Sequence, residues 1–468
     1  MDLVIIDDGV NEKYLNSKLK QNLEVNDTLE VIERKEDHYF SHGTICAAII
    51  LKYAPEASIS SIKVLNAETG RGKKERLLTA LRWCYEKHVR LINLSIGTTQ
   101  YQDFDEIRVW ISRLYRSGCI IIAAYNNKNI YTVPASFECT IGVRCGFQIE
   151  NTYRVNMNEY EHYVEVRGDR EMILRNQKTY VSKPFNSFAA PYITAVVYNI
   201  KKKNDTNDLF EIWKKLVNDN NEILYHFPDF IDSAVIIDLN GAEEKALFYF
   251  EISAEYNIDT IKDIEAIRGQ VYIVMLAEGS DQMAPILRKI NTIKRNVKGI
   301  FCCFNYKKIQ ETKQYDLYNK IWHEQYYLDK YAQSNTLKDI KIPLIYIYAD
   351  RKILIELLQD LKKKFIVEGY LIRIVGEFRC AYLYGFEYSD CEENRKRIIH
   401  NVYDRYNCDV IICGIISNNI ILEDADLCIT IEMNKIVIFD RSDRFSIFNE
   451  KKENYMNIVY EKILNKFV

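Results

Sequence analysis

An aspartate, a histidine and a serine stand in three short segments of the chain that suit acid–base and nucleophilic chemistry. Asp7 ends an apolar run and is followed by a second aspartate, Asp8. His42 precedes a Gly-Thr pair, and Ser187 begins the sequence Ser-Phe-Ala-Ala-Pro. A serine hydroxyl becomes a nucleophile when an imidazole takes its proton, and a carboxylate fixes the tautomer of that imidazole. We therefore predict that Ser187 is the nucleophile, His42 the base and Asp7, or alternatively Asp8, the orienting acid.

These segments resemble the motifs of the subtilisin-like (S8) serine proteases, in which the order along the chain is Asp, His, Ser. Five intervening segments are similar to that family as well. They are Ala54–Ala57, Ile62–Leu65, Leu91–Gly97, Ile121–Asn126 and Val133–Ser136. The resemblance covers residues 1 to about 198, and the kind of subtilisin-like protease that we expect is the cytoplasmic one associated with bacterial peptide maturation. It implies an α/β fold with helices on both faces of a parallel sheet, and an endopeptidase that removes the leader from a ribosomally made peptide.

The same resemblance implies roles for residues outside the three motifs. Asn126 matches the residue that, together with the backbone N–H of Ser187, donates hydrogen bonds to the oxyanion of the reaction intermediate. Six further residues match the strand that pairs with substrate and the pocket for the residue before the cleaved bond. They are Ser95, Ile96, Gly97, Ala123, Ala124 and Tyr125.

Two residues depart from the pattern of the family. Phe185 stands where the family has glycine two residues before the nucleophile, and Tyr125 stands where it has glycine before the oxyanion asparagine. The ring of Tyr125 would fill part of the pocket, which predicts Gly, Ala, Ser or Cys before the cleaved bond. Both departures also support an alternative, namely a non-catalytic peptide-binding or assembly protein on a decayed subtilisin fold.

Short apolar runs alternate with helical patterns over residues 1 to about 200. The runs predict strands at Leu3–Asp7, Ser58–Leu65, Arg90–Ser95, Gly118–Ala124 and Cys139–Val143. The segments between them predict helices at Gly43–Tyr53, Lys74–Lys87 and Asp105–Ser117. This alternation is typical of a parallel sheet with helices on both faces, in which ligands bind at the carboxyl ends of the strands.

Beyond residue 200 the pattern predicts three more regions. We expect a charged linker over 201–230, an α/β domain over 231–335 and a second α/β domain over 336–468. In the last region the strand Leu344–Tyr348 is followed by a short loop and a helix, as in a phosphate-binding loop. The loop lacks the glycines and the Gly-Lys-Ser/Thr that wrap a phosphate. We therefore predict a degenerate P-loop-type domain that serves recognition or scaffolding.

Composition limits the partners. The chain has 468 residues with a formal net charge of −3, which gives no electrostatic reason to expect nucleic acid or an anionic membrane. No apolar run reaches the roughly 18 residues of a membrane span. The partner that we expect is a peptide or precursor-peptide substrate, with homo-oligomer formation through the C-terminal half as a further possibility.

Cysteine usage and the N-terminus bear on cofactors and location. The 12 cysteines include no Cys-x-x-Cys pair, so we expect reduced thiols and neither a metal nor another cofactor. The start of the chain has no basic region followed by a long apolar segment, and so it does not read as a signal peptide. These features predict a cytoplasmic protein.

Overall fold

In the computed structural model, the apolar run Leu3–Asp7 forms strand β1, which lies inside a nine-stranded sheet and is buried along its whole length. Its side chains alternate between two hydrophobic clusters. Leu3 and Ile5 belong to one cluster, and Val4 and Ile6 belong to the other. Successive residues of a strand point to opposite faces of the sheet, so both faces are covered. The predicted subtilisin-like α/β architecture is thereby confirmed for this part of the chain.

The structure describes most of the chain in two compact units. The described residues are 3–34, 40–66, 68–128, 131–146, 152–157, 162–217, 231–239, 243–276, 283–303, 320–332, 339–406, 408–416, 425–432, 435–440, 445–448 and 455–467. The described residues of unit 1 come from two ranges, Met1–Asp232 and Arg268–Val271. Unit 2 lies within Ser233–Ile267 and Tyr272–Val468.

The sheet of unit 1 contains eight strands besides β1. They are β2 (Gln21–Val25), β3 (Val31–Glu33), β4 (Ile59–Lys63), β5 (Leu91–Leu94), β6 (Ile120–Ala124), β7 (Ile141–Cys145), β8 (Arg154–Met157) and β9 (His162–Val166). Their order is β3-β2-β4-β1-β5-β6-β7-β9-β8. Pairing is parallel except in the outermost pairs, β2 with β3 and β8 with β9. A separate antiparallel hairpin consists of β10 (Glu171–Ile173) and β11 (Thr179–Val181).

Five α-helices cover this sheet. They are α1 (His42–Tyr53), α2 (Lys74–Glu86), α3 (Phe104–Arg116), α4 (Asn186–Asn204) and α5 (Leu209–Leu216). Helices α1, α4 and α5 supply buried side chains to the cluster of Leu3 and Ile5. Helices α2 and α3 supply the cluster of Val4 and Ile6. Strand β1 therefore carries Asp7 to the end of a sheet that is held between two helical layers.

The predicted linker over 201–230 requires a correction. Helix α4 continues to Asn204, and α5 buries an apolar stripe in the same cluster as α1. That stripe consists of Leu209, Ile212, Trp213 and Leu216. Spacing of three and four residues places these side chains on one helical face, which docks on the sheet instead of spanning solvent. The first domain thus extends at least to residue 216, and residues 218–230 of the predicted linker lie outside the described part.

Unit 2 contains two further sheets. The first has the order β13-β12-β14-β15-β16. Its strands are β12 (Ser233–Asp238), β13 (Glu251–Tyr256), β14 (Val271–Leu276), β15 (Val297–Cys302) and β16 (Ile321–Trp322). The second has the order β19-β18-β20-β17-β21-β22-β23 and is parallel from β19 to β21. Its strands are β17 (Leu344–Tyr348), β18 (Ile372–Glu377), β19 (Glu387–Tyr388), β20 (Val410–Ile415), β21 (Leu427–Glu432), β22 (Lys435–Asp440) and β23 (Phe445–Phe448).

Five α-helices accompany these strands. They are α6 (Met283–Thr292), α7 (Glu324–Tyr331), α8 (Arg351–Val367), α9 (Glu392–Arg405) and α10 (Tyr455–Phe467). The two sheets fall on either side of the predicted division near residue 336, while their contacts join them in one unit. The separation into two domains, 231–335 and 336–468, stays a prediction. Within the described ranges, no helix combines the length and the apolar character that crossing a bilayer requires.

Candidate active site

The structure brings Asp7, His42 and Ser187 together at one edge of the sheet of unit 1. Asp7 is the last residue of β1, His42 is the first residue of α1, and Ser187 is the second residue of α4. His42 Nδ1 lies 3.0 and 3.1 Å from the two carboxylate oxygens of Asp7. His42 Nε2 lies 3.0 Å from Ser187 Oγ. With the Nδ1 proton donated to Asp7, Nε2 can accept the hydroxyl proton of Ser187.

The two neighbouring aspartates have different tasks. The carboxylate of Asp7 contacts the imidazole ring, whereas Asp8 accepts the backbone N–H of His42 at 3.0 Å and that of Gly43 at 2.8 Å. These N–H groups belong to the first turn of α1 and have no partner within the helix. Asp8 therefore caps the helix that carries the base. The geometry supports Asp7, and not the alternative Asp8, as the residue that orients the ring.

The turn between Asp8 and the next segment depends on Gly9. Its φ of +98° lies in the region that favours glycine, and a side chain there would collide with the guanidinium group of Arg34. Ser41 Oγ donates to the Gly9 carbonyl at 2.6 Å. This hydrogen bond joins the turn after β1 to the residue before α1, and so helps to fix the distance between the acid and the base.

The charge of Asp7 sets the protonation of His42. Burial by itself would lower the pKa of His42, but the negative charge of Asp7 and the hydrogen bond between them outweigh it and hold that pKa well above its usual value. Burial and the repulsion from Asp7 raise the pKa of Asp8 to about 6. Asp7 itself is only 1% exposed, while the His42 side chain is 28% exposed. The base is therefore accessible from solvent while its orienting acid is shielded.

Asn186, which precedes the nucleophile, was not expected from the sequence to have a role. Its side chain is buried, and its Nδ2 donates to the carbonyls of Tyr125 and Asn126, both at 3.1 Å. Its Oδ1 accepts the N–H of Cys145 at 2.6 Å. Asn186 thereby links the start of α4 to the segment of the oxyanion asparagine. The only sequence signal for this role was the position of a polar residue directly before Ser187.

Asn126 lies on the same cavity as Ser187 and His42. Its Oδ1 accepts the N–H of Lys128 at 2.8 Å, and its own N–H donates to Thr132 Oγ1 at 3.1 Å. The bond to Oδ1 orients the side-chain amide of Asn126 and leaves its Nδ2 as a donor with no partner among the described residues. The arrangement suits the predicted oxyanion donor.

Five of the six predicted substrate-binding residues line this cavity, which has a volume of about 800 Å³. They are Ser95, Ile96, Gly97, Ala124 and Tyr125. Ala123 was also expected there, and this expectation requires a correction. Its side chain is fully buried in the cluster of α2 and α3, because the alternation along β6 turns it to that face of the sheet.

Tyr125 and Phe185 are the two departures from the family pattern. The ring of Tyr125 is almost fully buried and lies against Gly142, where a side chain would collide with it. The Arg144 guanidinium stands 4.3 Å from the ring centre. Phe185 has an extended backbone with φ of −114° and a half-exposed side chain. Its position therefore does not need the positive φ that would make glycine necessary.

Asp7, His42 and Cys46 are the group of potential metal ligands that lie within 4.8 Å of one another in the described part of the chain. Their atoms already have partners, since His42 Nδ1 is bonded to Asp7. Burial raises the pKa of the Cys46 thiol, which disfavours the thiolate that a metal would need. We assign this group to the triad and its surroundings.

The comparison with known proteins agrees with this geometry. Residues 3–219 match the subtilase family (Peptidase_S8). The matched region contains Asp7, His42 and Ser187.

Two curated relatives and two solved structures are similar to parts of the chain. The major intracellular serine protease of Bacillus subtilis (strain 168) is 24% identical over 186 residues, 36% of this chain and 58% of that protein. The thermostable alkaline protease of Halalkalibacterium halodurans (strain C-125) is 25% identical over 169 residues, 34% of this chain and 45% of that protein. The chain thus spans about half the length of these relatives.

The two solved structures are both of proteases. A lanthipeptide protease has 15% identity and a TM-score of 0.35, over 44% of this chain and 75% of that one. The prenylagaramide maturation protease PagA has 17% identity and a TM-score of 0.34, over 44% of this chain and 77% of that one.

Proposed function

We propose that this protein is a serine endopeptidase that hydrolyses peptide bonds through Asp7, His42 and Ser187. The observation that carries the proposal is the continuous set of contacts from Asp7 to His42 and from His42 to Ser187, each at 3.0 Å, beside an open cavity. A decayed protease fold has no need to keep these two contacts. The geometry therefore favours the enzyme over the non-catalytic alternative.

The residues would act in two half-reactions. Ser187 Oγ attacks the carbonyl carbon of the substrate while His42 Nε2 takes its proton, and Asp7 stabilises the imidazolium that forms. The amide of Asn126 and the N–H of Ser187 stabilise the oxyanion. His42 then gives its proton to the leaving amine, which leaves an acyl-enzyme. Water, deprotonated by His42, hydrolyses the ester and restores Ser187.

Tyr125 is proposed to restrict the residue before the cleaved bond to Gly, Ala, Ser or Cys. Its ring is held between Gly142 and Arg144 at the wall of the cavity, and so it does not swing aside at low cost. Tyr125→Gly is expected to open this wall and to move cleavage toward larger residues. A peptide library distinguishes the outcomes, because native cleavage after Phe, Leu or Arg would contradict the proposal.

The substrate that we propose is a particular peptide precursor from which a leader is removed. A restricted pocket narrows the range of sequences, and unit 2 offers a second region of the chain for recognising one partner. Cleavage of a cognate precursor but not of casein would support a narrow range. General digestion of casein would contradict it and would leave the endopeptidase proposal intact.

Residues 336–468 are proposed to be a P-loop-like domain that binds no nucleotide and serves recognition or scaffolding. Strand β17 ends at Tyr348 and α8 begins at Arg351, so only Ala349 and Asp350 separate them. Two residues without glycine cannot wrap a phosphate. ATP is expected to leave the melting temperature of the full chain unchanged, and a rise would overturn this assignment.

Cytoplasmic location and homo-oligomer formation stay predictions.

A fluorophosphonate probe tests the main proposal. The native chain is expected to be labelled and Ser187→Ala is not, while the control Ser117→Ala, at the end of α3, is labelled like the native chain. Loss of the label in Ser187→Ala alone would identify an activated serine. If the folded native chain takes no label, the binding-protein alternative is favoured instead.

A further inference from the structure

The carbonyl of Ser187 lacks its usual helical partner. Pro191 lies inside α4, four residues after Ser187, and has no N–H to donate to that carbonyl. The proline is the sixth residue of the helix and not part of its first turn, where a missing N–H would cost nothing. The residue that carries the nucleophile therefore has a backbone acceptor to satisfy from elsewhere.

The thiol of Cys46 lies where it can satisfy this acceptor. Cys46 is a fully buried residue of α1, and its Sγ stands 3.7 Å from the Ser187 carbonyl oxygen. It also lies 3.6 Å from His42 Nδ1, 3.9 Å from Asp7 Oδ2 and 3.5 Å from Ser95 Oγ. Since His42 Nδ1 donates its proton to Asp7, it is not an acceptor for the thiol. The Ser187 carbonyl is nearer to Sγ than the Asp7 carboxylate is.

Three more buried polar residues lead to the thiol. Thr194 Oγ1 donates to Asn93 Oδ1 at 2.8 Å, and Asn93 Nδ2 donates to Ser95 Oγ at 3.1 Å. Ser95 thus accepts from Asn93 and keeps its own proton for Cys46 Sγ. The result is a continuous polar chain in the order Thr194, Asn93, Ser95, Cys46 and the Ser187 carbonyl. It begins and ends on α4 and passes through β5, the residue after β5 and α1.

We propose that Cys46 is a positioning residue, whose thiol donates to the Ser187 carbonyl left free by Pro191 and so fixes the first turn of α4 against α1. This turn holds Ser187 Oγ, and α1 holds His42. The thiol therefore connects the nucleophile and the base independently of the contact between their side chains. The polar chain extends this link to Ser95, which lines the cavity. The activity readouts of the proposal rest on the proposed function, but its spectroscopic readout does not.

Substitutions at Cys46 separate a donor from a packing residue. Cys46→Val keeps the apolar volume and removes the donor, whereas Cys46→Ser keeps a donor. We expect Cys46→Val to lower kcat about tenfold to a hundredfold with little change in KM, because a buried acceptor is left unsatisfied. Cys46→Ser is expected to retain more activity than Cys46→Val. The reverse order would show that Cys46 acts by packing alone and would overturn the proposal. Cys84→Val is the matched control, because Cys84 is fully buried and lies on the opposite face of the sheet.

Pro191→Ala provides the second test, because it supplies the missing N–H. In the Pro191→Ala background, Cys46→Val is expected to cost much less activity than in the native chain. Independent losses in the double variant would contradict the proposal.

The S–H stretching band in the infrared spectrum needs no catalysis. The band that disappears in Cys46→Val is expected at lower frequency than the band that disappears in Cys84→Val, and Pro191→Ala is expected to shift it upward. If Pro191→Ala leaves the Cys46 band unmoved, the thiol donates elsewhere and the proposal fails. If the Cys46 band shifts but the native chain takes no fluorophosphonate label, the hydrogen bond of the thiol is supported and the proposed protease activity is contradicted.

Discussion

At the scale of single residues, the site shows how two adjacent carboxylates can have separate functions. Asp7 is the last residue of a strand and faces the imidazole, while Asp8 turns back to the start of α1. The sequence indicated both as candidates for the residue that orients the imidazole. What the sequence could not show is that Asp8 has a task of its own, because a cap depends on where a distant helix begins.

Substitution of each aspartate should separate these functions. Asp7→Asn is expected to lower kcat/KM by roughly 10⁴, because an amide at this position favours the wrong tautomer of His42. Asp8→Ala is expected to lower the melting temperature, since loss of a cap costs about 0.5–2 kcal/mol, with less than about a tenfold loss of kcat/KM. Steady-state kinetics and thermal unfolding of both variants check this. Equal kinetic losses would contradict the division.

The pH dependence of activity should report the raised pKa of His42. The base must be neutral to accept the proton of Ser187, so kcat/KM is expected to rise as pH increases through this pKa. Because Asp7 holds the pKa well above its usual value of 6.5, the rise should lie on the alkaline side of that value. A kcat/KM profile in buffers of constant ionic strength measures it. A midpoint at or below 6.5 would show that the charge of Asp7 does not control the base.

At the scale of helices and strands, the buried elements were predicted more accurately from the sequence than the partly exposed ones. The central strands β1, β5 and β6 were predicted to within two residues at each end, because strands covered on both faces are continuous apolar runs. The strands of the two outermost pairs, β2 with β3 and β8 with β9, were missed, since polar residues interrupt their apolar runs. The residues of helix α5 were placed in a linker, because the lysines before them suggested a segment exposed to solvent.

Trp213 tests the corrected position of α5. Trp213→Ala is expected to destabilise unit 1 by about 3–5 kcal/mol, because the ring is only 2% exposed and lies in the cluster of α1 and α4. The matched control is Glu211→Ala on the exposed side of the same helix, with an expected change within about 0.5 kcal/mol. Urea unfolding of the full chain, monitored by amide hydrogen exchange in β1, measures the change in the free energy of unfolding for both variants. If both substitutions have equally small effects, the prediction of a linker over 201–230 is supported instead.

At the scale of the whole molecule, thiol chemistry is the property that all parts share. All 12 cysteines lie in the described part of the chain, and none is in a disulfide. Most are buried, and burial raises the pKa of Cys84, Cys119, Cys302 and Cys413. This agrees with the prediction of reduced thiols. The fold is therefore stabilised by noncovalent interactions, without disulfide bonds.

Two measurements follow from the free thiols. A reducing agent is expected to leave the melting temperature of the chain unchanged, because it has no disulfide to break. Brief alkylation of the native chain should modify mainly Cys391, the exposed cysteine, whereas alkylation in urea should modify all twelve. Mass spectrometry of the digested protein identifies the sites. A melting temperature lowered by reductant would contradict the free-thiol structure.

The separation of the triad along the chain has a consequence for protein synthesis. Ser187 follows His42 by 145 residues, and helix α4 is the last large element that packs on α1 in unit 1. Domains fold as their residues leave the ribosome, beginning at the N-terminus. The nascent polypeptide therefore carries its acid and its base early but has no nucleophile until α4 emerges. Translation itself thus delays the chemistry until the sheet that must hold the three residues has been made.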